Sequence, residues 1–189
     1  MNMDEIKSIV GKIKDMSKDE VIKALPDVLD KAKAVGFAQV AKEIPELTEI
    51  VKDKMAEFEV DESLNLMKQF MPVVFDAMKT LADSNEDIQD ELEDVEDTVI
   101  SMVVEDSDFA MTFIVKEGKF DYKLAAVPDA DLTMKMTKET MKGMMSGEGD
   151  AMQAYMSGEI KAEGNLTKAM GLRSIFEALG EEFGFELMG

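Results

Sequence analysis

Between Asp131 and Leu179 the chain switches from alternating to helical patterning and back, and it turns on one joint, Gly164-Asn165. The stretch opens on a short strand pattern, with Leu132, Met134 and Met136 on one face and Thr133 and Lys135 on the other. A methionine-rich helical segment, Thr137 to Ser146, comes next, then Ala151 to Met156, then a second short strand over Ser157 to Glu163. Gly164 reaches the positive φ that ends a strand abruptly, and Asn165 offers its side-chain oxygen to the free N–H groups of a helix start. Behind it Leu166, Ala169, Met170, Leu172, Ile175, Phe176 and Leu179 recur at helical spacing and form one apolar face. A strand that must stop and hand over to an amphipathic helix leaves few folds open.

The segments upstream supply the rest of a sheet. Val99 to Val104 is a continuous apolar run, suited to a central strand. Phe109 to Val115 follows, then Lys116-Glu117-Gly118-Lys119 as a hairpin turn, then the alternating Phe120 to Ala125. With Leu132 to Met136 and Glu159 to Glu163 the pattern predicts a five-stranded, mainly antiparallel sheet, its first three strands joined by short turns. Helices precede, interrupt and follow the strands, so the class is α+β.

Before the sheet the chain reads as helices. Ile6, Ile9, Val10, Ile13 and Met16 form one stripe, and Ser17 with Glu20 has the form of a capping box. Pro26 and Pro45 are each expected to open a fresh segment, with Gly36 between them. The segments around the two prolines resemble one another, Val21 to Val28 against Val40 to Leu47, as two similar amphipathic helices or as a small helical docking module. A long helix runs from Asp61 through Leu81, with a kink expected at Pro72. The acidic run Glu86 to Asp97 carries Ile88, Leu92 and Val95 at helical spacing, which predicts ordered helix turns. The organisation expected is a helical N-terminal module over 1–60 and a second domain over 61–189.

Charge and composition remove several functions. Asp and Glu outnumber Lys and Arg 41 to 21, for a net charge of -20, which argues against nucleic acid and against anionic membrane surfaces. There is no His and no Cys, which takes away the commonest general base, the thiol nucleophile and the usual zinc ligands. An EF-hand read from Asp83, Asn85 and Asp87 fails at Ile88, where the turn needs glycine. No phosphate loop, dinucleotide fingerprint or nucleophile elbow is present. The expectations are no enzyme activity, no cofactor and no metal. No apolar run reaches the roughly 20 residues of a membrane span. The start Met1 to Glu5 is acidic rather than a signal peptide, and the end Leu187-Met188-Gly189 is not a peroxisomal address, so the cytoplasm is expected.

The run Ala154-Tyr155-Met156-Ser157-Gly158-Glu159-Ile160-Lys161-Ala162-Glu163-Gly164-Asn165, continuing to Ala169-Met170 and Leu172, resembles the hallmark of the sterol carrier protein 2 family. Asp129 to Met136 and the turn Ser146-Gly147-Glu148 fit the same order, and the resemblance covers about residues 61–189. Gly171 and Glu159 depart from it, each standing where a basic residue is common. The resemblance implies a non-catalytic domain that binds, and in some members transfers, a sterol, fatty acid or fatty acyl-CoA in an apolar tunnel between sheet and helices. On that reading Met134 and Met136 form one wall. Met141, Met144, Met145, Met152, Met156, Met170 and Phe176 form the other, because thioethers re-pack around varied ligands. Tyr155 is either a polar handle for the ligand or a structural hydrogen-bonding group. The partner expected is a hydrophobic small molecule, a lipid, with no stable membrane insertion. The alternative is a protein–protein interaction or dimerisation module with the same fold and a collapsed cavity, working as a homodimer or through a partner of the N-terminal helices.

Overall fold

The computed structural model describes residues 3–183; Met1-Asn2 and residues 184–189, with the Leu187-Met188-Gly189 end read above, lie outside the described residues. Four helices come first: α1 (Met3–Ile13), α2 (Lys18–Val35), α3 (Phe37–Glu43) and α4 (Leu47–Glu57). The apolar stripe of α1 buries Ile6, Val10 and Ile13. At the start of α2 the Glu20 carboxylate accepts the Ser17 N–H at 2.8 Å and the Ser17 hydroxyl at 2.7 Å, which closes the capping box. Those two donors hold the Glu20 carboxyl below its usual range.

Pro26 does not open a segment; it sits inside α2. A proline there forfeits the bond to the carbonyl four residues back, a cost of about 3 kcal/mol in a helix interior. Pro26 lies on the exposed face, while Val21 and Val28 on either side of it bury in the core, so packing carries the helix through. Pro45 lies in the turn before α4. The two similar segments are therefore not two equivalent helices. The first is the middle of α2, and the second spans the end of α3 and a turn.

Helix α5 (Val60–Ala82) continues through Pro72, and α6 (Glu86–Asp94) is the acidic run. Asn85 caps α6 by accepting the N–H groups of Asp87 and Ile88, so this amide from the failed calcium loop serves the helix instead. Ile88 and Leu92 turn inward from α6 and leave its carboxylates to solvent.

The strands are β1 (Thr98–Val104), β2 (Ala110–Lys116), β3 (Lys119–Lys123), β4 (Leu132–Met136) and β5 (Lys161–Gly164), in spatial order β3-β2-β1-β4-β5. The β2–β3 hairpin turns on Glu117 and Gly118, both at positive φ, which two-residue turns of this twist need. The pairs β1–β2, β2–β3 and β4–β5 are antiparallel, and β4 runs parallel to β1 with Ile100 beside Leu132. The connection to β4 crosses the back of the sheet and is tied to it. Ser101 and Thr112 bond each other at 2.8 Å, the Thr112 hydroxyl lies 2.7 Å from the Ala125 carbonyl, and Ser101 Oγ accepts the Val127 N–H at 3.2 Å. Both side chains are fully buried, and these bonds satisfy them.

The opposite face of the sheet carries the core. Helices α7 (Lys138–Ser146), α8 (Ala151–Ser157) and α9 (Leu166–Phe183) complete the α+β fold. Gly164 ends β5 at φ 121°, where an added Cβ would stand 2.2 Å from the Asp131 carbonyl oxygen. Asn165 then accepts the Thr167 N–H at 3.0 Å and opens α9, as the joint requires.

Candidate functional site

Strand register builds a row of thioethers. Met102 of β1 lies opposite Met111 of β2 and beside Met134 of β4, which in turn faces Ala162 of β5. Alternation puts all of them on the core face, with Met136 one step further along β4. Met111 and Met136 are buried, whereas Met102, Met134 and Ala162 are only half-buried, so the sheet is incompletely covered at this end. Helix α7 follows β4 directly. Thr137 caps it by accepting the Thr140 N–H, and Gly147, at φ 75°, closes it. Met141 is buried from α7, and Met144 and Met145 pack half-buried against the same core.

Phe176 of α9 belongs to that core too. Its ring meets Phe113 edge-on at 4.9 Å and Phe120 at 6.2 Å, while Phe75 meets Phe113 at 5.3 Å. The rings lie over β2 and β3, while Met102, Met111 and Met134 form a margin across β1, β2 and β4. Beside that margin, between α7 and α8, opens a hollow of about 510 Å3, with Thr140, Gly143, Met144, Gly149, Gln153 and Ala154 on its walls.

Of the residues named from the sequence, the structure brings Met134, Met136, Met141, Met144, Met145 and Phe176 into one core. It sets the others apart: Met152, Tyr155, Met156 and Met170 are 65%, 42%, 80% and 75% exposed. The reason is helical geometry. Successive residues turn about 100°, so Met152 and Met156, two positions either side of buried Ala154, point away from the core. Met102 and Met111 were absent from the sequence-derived walls. Their inward face follows from alternation, but their place beside Met134 depends on pairing register.

The tyrosine with the clearest hydrogen-bonding role is Tyr122. Its hydroxyl lies 2.7 Å from Asp76 Oδ1 and 3.2 Å from the Pro72 carbonyl, and the single proton goes to the nearer carboxylate. Burial, then the Asp76 hydrogen bond, pushes the phenol up to about 12. This joins α5 to β3. Among the described residues no group of three or more carboxylates is placed to hold a metal ion, and no helix is long and apolar enough to cross a membrane.

A sequence profile of the SCP-2 sterol transfer family matches residues 75–177, just over half of the chain and every element from mid-α5 to mid-α9. No curated protein sequence matches. Among solved structures, the stereoselective inverting sec-alkylsulfatase Pisa1 from Pseudomonas sp. shares 25% identity over 62% of this chain, at a TM-score of 0.38. This chain spans only 16% of that enzyme's length. Sterol carrier protein 2 from Yarrowia lipolytica shares 16% identity over 61% of this chain and 91% of its own, at a TM-score of 0.43. Sterol carrier protein domain 2 of Helicoverpa armigera shares 18% over 62% and 88%, also at 0.43.

Proposed function

Because the chain belongs to the SCP-2 sterol transfer family, we propose that it binds, and passes on without chemical change, a hydrophobic ligand such as a sterol, fatty acid or fatty acyl-CoA. The observation that carries the reading is the half-buried methionine margin inside the matched region. Met102 and Met134 on the sheet and Met144 and Met145 on α7 all border this one core, and these are the side chains best able to move aside. On this reading Met134, Met136, Met141, Met144, Met145 and Phe176 line the ligand, with Met102 added to the sheet wall. The driving force is apolar burial, about 25 cal/mol per Å2 before ordering costs. A cytoplasmic carrier that works between membranes fits this picture.

The test is native mass spectrometry of the purified protein with organic extraction, followed by titration of the stripped protein with a fluorescent fatty acid and a fluorescent sterol. A stoichiometric apolar adduct, or saturable uptake that Met145→Glu abolishes while the far-ultraviolet spectrum is unchanged, is the expected result. Unaltered affinity in that folded variant removes the methionine margin from the site. The close ring packing of Phe113, Phe120 and Phe176 favours a second reading, an interaction module with a collapsed cavity. A clean protein mass together with no uptake of either probe selects it.

A further inference from the structure

We propose that the ligand of the methionine margin has an uncharged, hydrogen-bond-donating head, an alcohol rather than a carboxylate or a phosphate, selected by the hollow between α7 and α8. The inference rests on the ligand reading above and narrows it. Met144 and Ala154 belong both to the walls of the hollow and to the core beneath it. Met144 is half-buried and unbranched, so it is the side chain that can swing aside between the two. A tail held among the methionines then leaves its head in the hollow.

Charge around that head is one-sided. Glu139, Glu148, Asp150 and Glu159 edge the hollow, and none of its lining residues is a cation. The lysines on the adjoining elements are turned elsewhere: Lys138 to Asp61 at 2.6 Å, Lys142 to the Ala56 carbonyl at 3.5 Å and Lys161 to Glu105 at 3.1 Å. Lys52 stands beside Gly147, one ammonium against four carboxylates. The start of α8, where free N–H groups attract an anion, is already taken by Asp150, which accepts the Gln153 N–H at 2.6 Å. The turn that carries Glu148 is fixed, since the Glu148 and Gly149 N–H groups bond the Gly143 carbonyl at 3.0 and 2.9 Å.

Ionised carboxylates only accept hydrogen bonds. A ligand hydroxyl can donate to them, whereas a ligand carboxylate cannot and meets like charge in a cleft partly shielded from water. The acidity of the rim therefore sorts ligands by head, while the adaptable methionines leave the tail open.

The test is calorimetric titration of the stripped full chain with two matched pairs: decanol against decanoate, and cholesterol against cholesterol sulfate, the sterols delivered from cyclodextrin. Each pair shares a tail and differs in the head, so whichever tail is taken up, a chain or a ring system, reports on the same question. The alcohol is expected to bind about tenfold more tightly than its anion. The gap is expected to narrow with added salt and in Glu148→Gln/Glu159→Gln. It is expected to persist in Asp90→Asn/Glu91→Gln, which removes the same charge from α6, packed on β3 at the other edge of the sheet. Equal binding of alcohol and anion, or a gap that the Glu148/Glu159 variant leaves unchanged, overturns the proposal while the ligand reading stands. No binding of any of the four probes removes the ligand reading, and the proposal with it.

Discussion

The N-terminal helices and the sheet domain close their interiors with different materials. The first core packs Ile6, Val10, Ile13, Val21, Val40, Ile44 and Ile50 around the single buried ring of Phe58, and its methionines, Met3, Met16 and Met55, stay at the edge. The second core buries Met67, Met78, Met111, Met136 and Met141 among a run of rings. Branched aliphatics hold few rotamers and pack one way, whereas thioethers re-pack. The first core is therefore built to keep a shape and the second to accommodate a change. The two meet where the change would occur, for α3 packs on α9 and α4 on α7. Polar links cross the junction: Lys42 to Glu182 at 2.8 Å and the Lys142 ammonium to the Ala56 carbonyl at 3.5 Å. Exposed pairs of this kind contribute at most about 1 kcal/mol each. Apolar packing adds to these links, since Phe37 of α3 borders both cores and Leu66 of α5 is buried in the first.

The sharpest way to break this comparison is to remove a ring from each core. Phe176→Ala is expected to cost about 3–5 kcal/mol in urea unfolding, because the ring is buried between Phe113 and Phe120. Phe58→Ala is expected to cost a similar amount locally, read by hydrogen exchange as lost protection in α1 to α4 with β1 and β2 still protected. If Phe58→Ala strips protection from β1 and β2 as fully as Phe176→Ala does, the two cores are one cooperative unit.

Two glycines sharpen it. Gly36 and Gly164 have similar backbone angles, φ 103° and 121°, but different surroundings. Nothing stands within 4 Å of a Cβ built on Gly36 between α2 and α3. Gly36→Ala is therefore expected to meet only backbone strain, about 1–2 kcal/mol. Gly164→Ala meets the same strain and also drives a methyl into the Asp131 carbonyl, which is 2.2 Å away. Asp131 cannot yield freely: its N–H bonds the Val99 carbonyl at 2.8 Å and its carboxylate accepts the Val99 N–H at 2.7 Å. The larger loss of thermal stability is expected at Gly164, with the β1–β4 pairing disrupted. Equal losses at the two positions sink the account.

These contrasts also mark what the sequence could carry. The strands, the cap at Asn165 and the stop at Gly164 were legible because each rests on a local rule, alternation, capping or a positive φ. The parallel pairing of β4 with β1 was not, since it depends on Ser101 and Thr112 holding the 125–127 loop across the back of the sheet. The methionine row was half legible. Met134 and Met136 declared their face by alternation, while Met102 and Met111 join them only through register. Met152 and Met156 are placed on the tunnel wall by the resemblance alone, and in a seven-residue helix period cannot say which side the core will take. Pro26 showed the reverse, a strong local signal overridden by the burial of Val21 and Val28.

The smallest effect expected is a dependence on alkaline pH confined to the second core. Both tyrosines of the chain, Tyr122 and Tyr155, lie in that half, and Tyr122 bonds Asp76 of α5 from β3. Burial and then the Asp76 hydrogen bond raise its phenol to about 12, against about 10 in an unfolded chain. The folded state thus holds this proton more tightly than the unfolded state does. The stability from the bond is whole below about pH 10 and drains away as the pH climbs towards 12, because the unfolded chain then gains by ionising first. Tyr122→Phe has no proton to lose. The difference in urea midpoint between wild type and Tyr122→Phe, measured at roughly pH 8 and pH 11, is expected to narrow at the higher value. A constant difference means that the Asp76 contact does not hold the proton, and the tie between α5 and β3 then rests on the ring, 5.0 Å from Phe75, and on the Lys79–Asp121 pair at 2.8 Å.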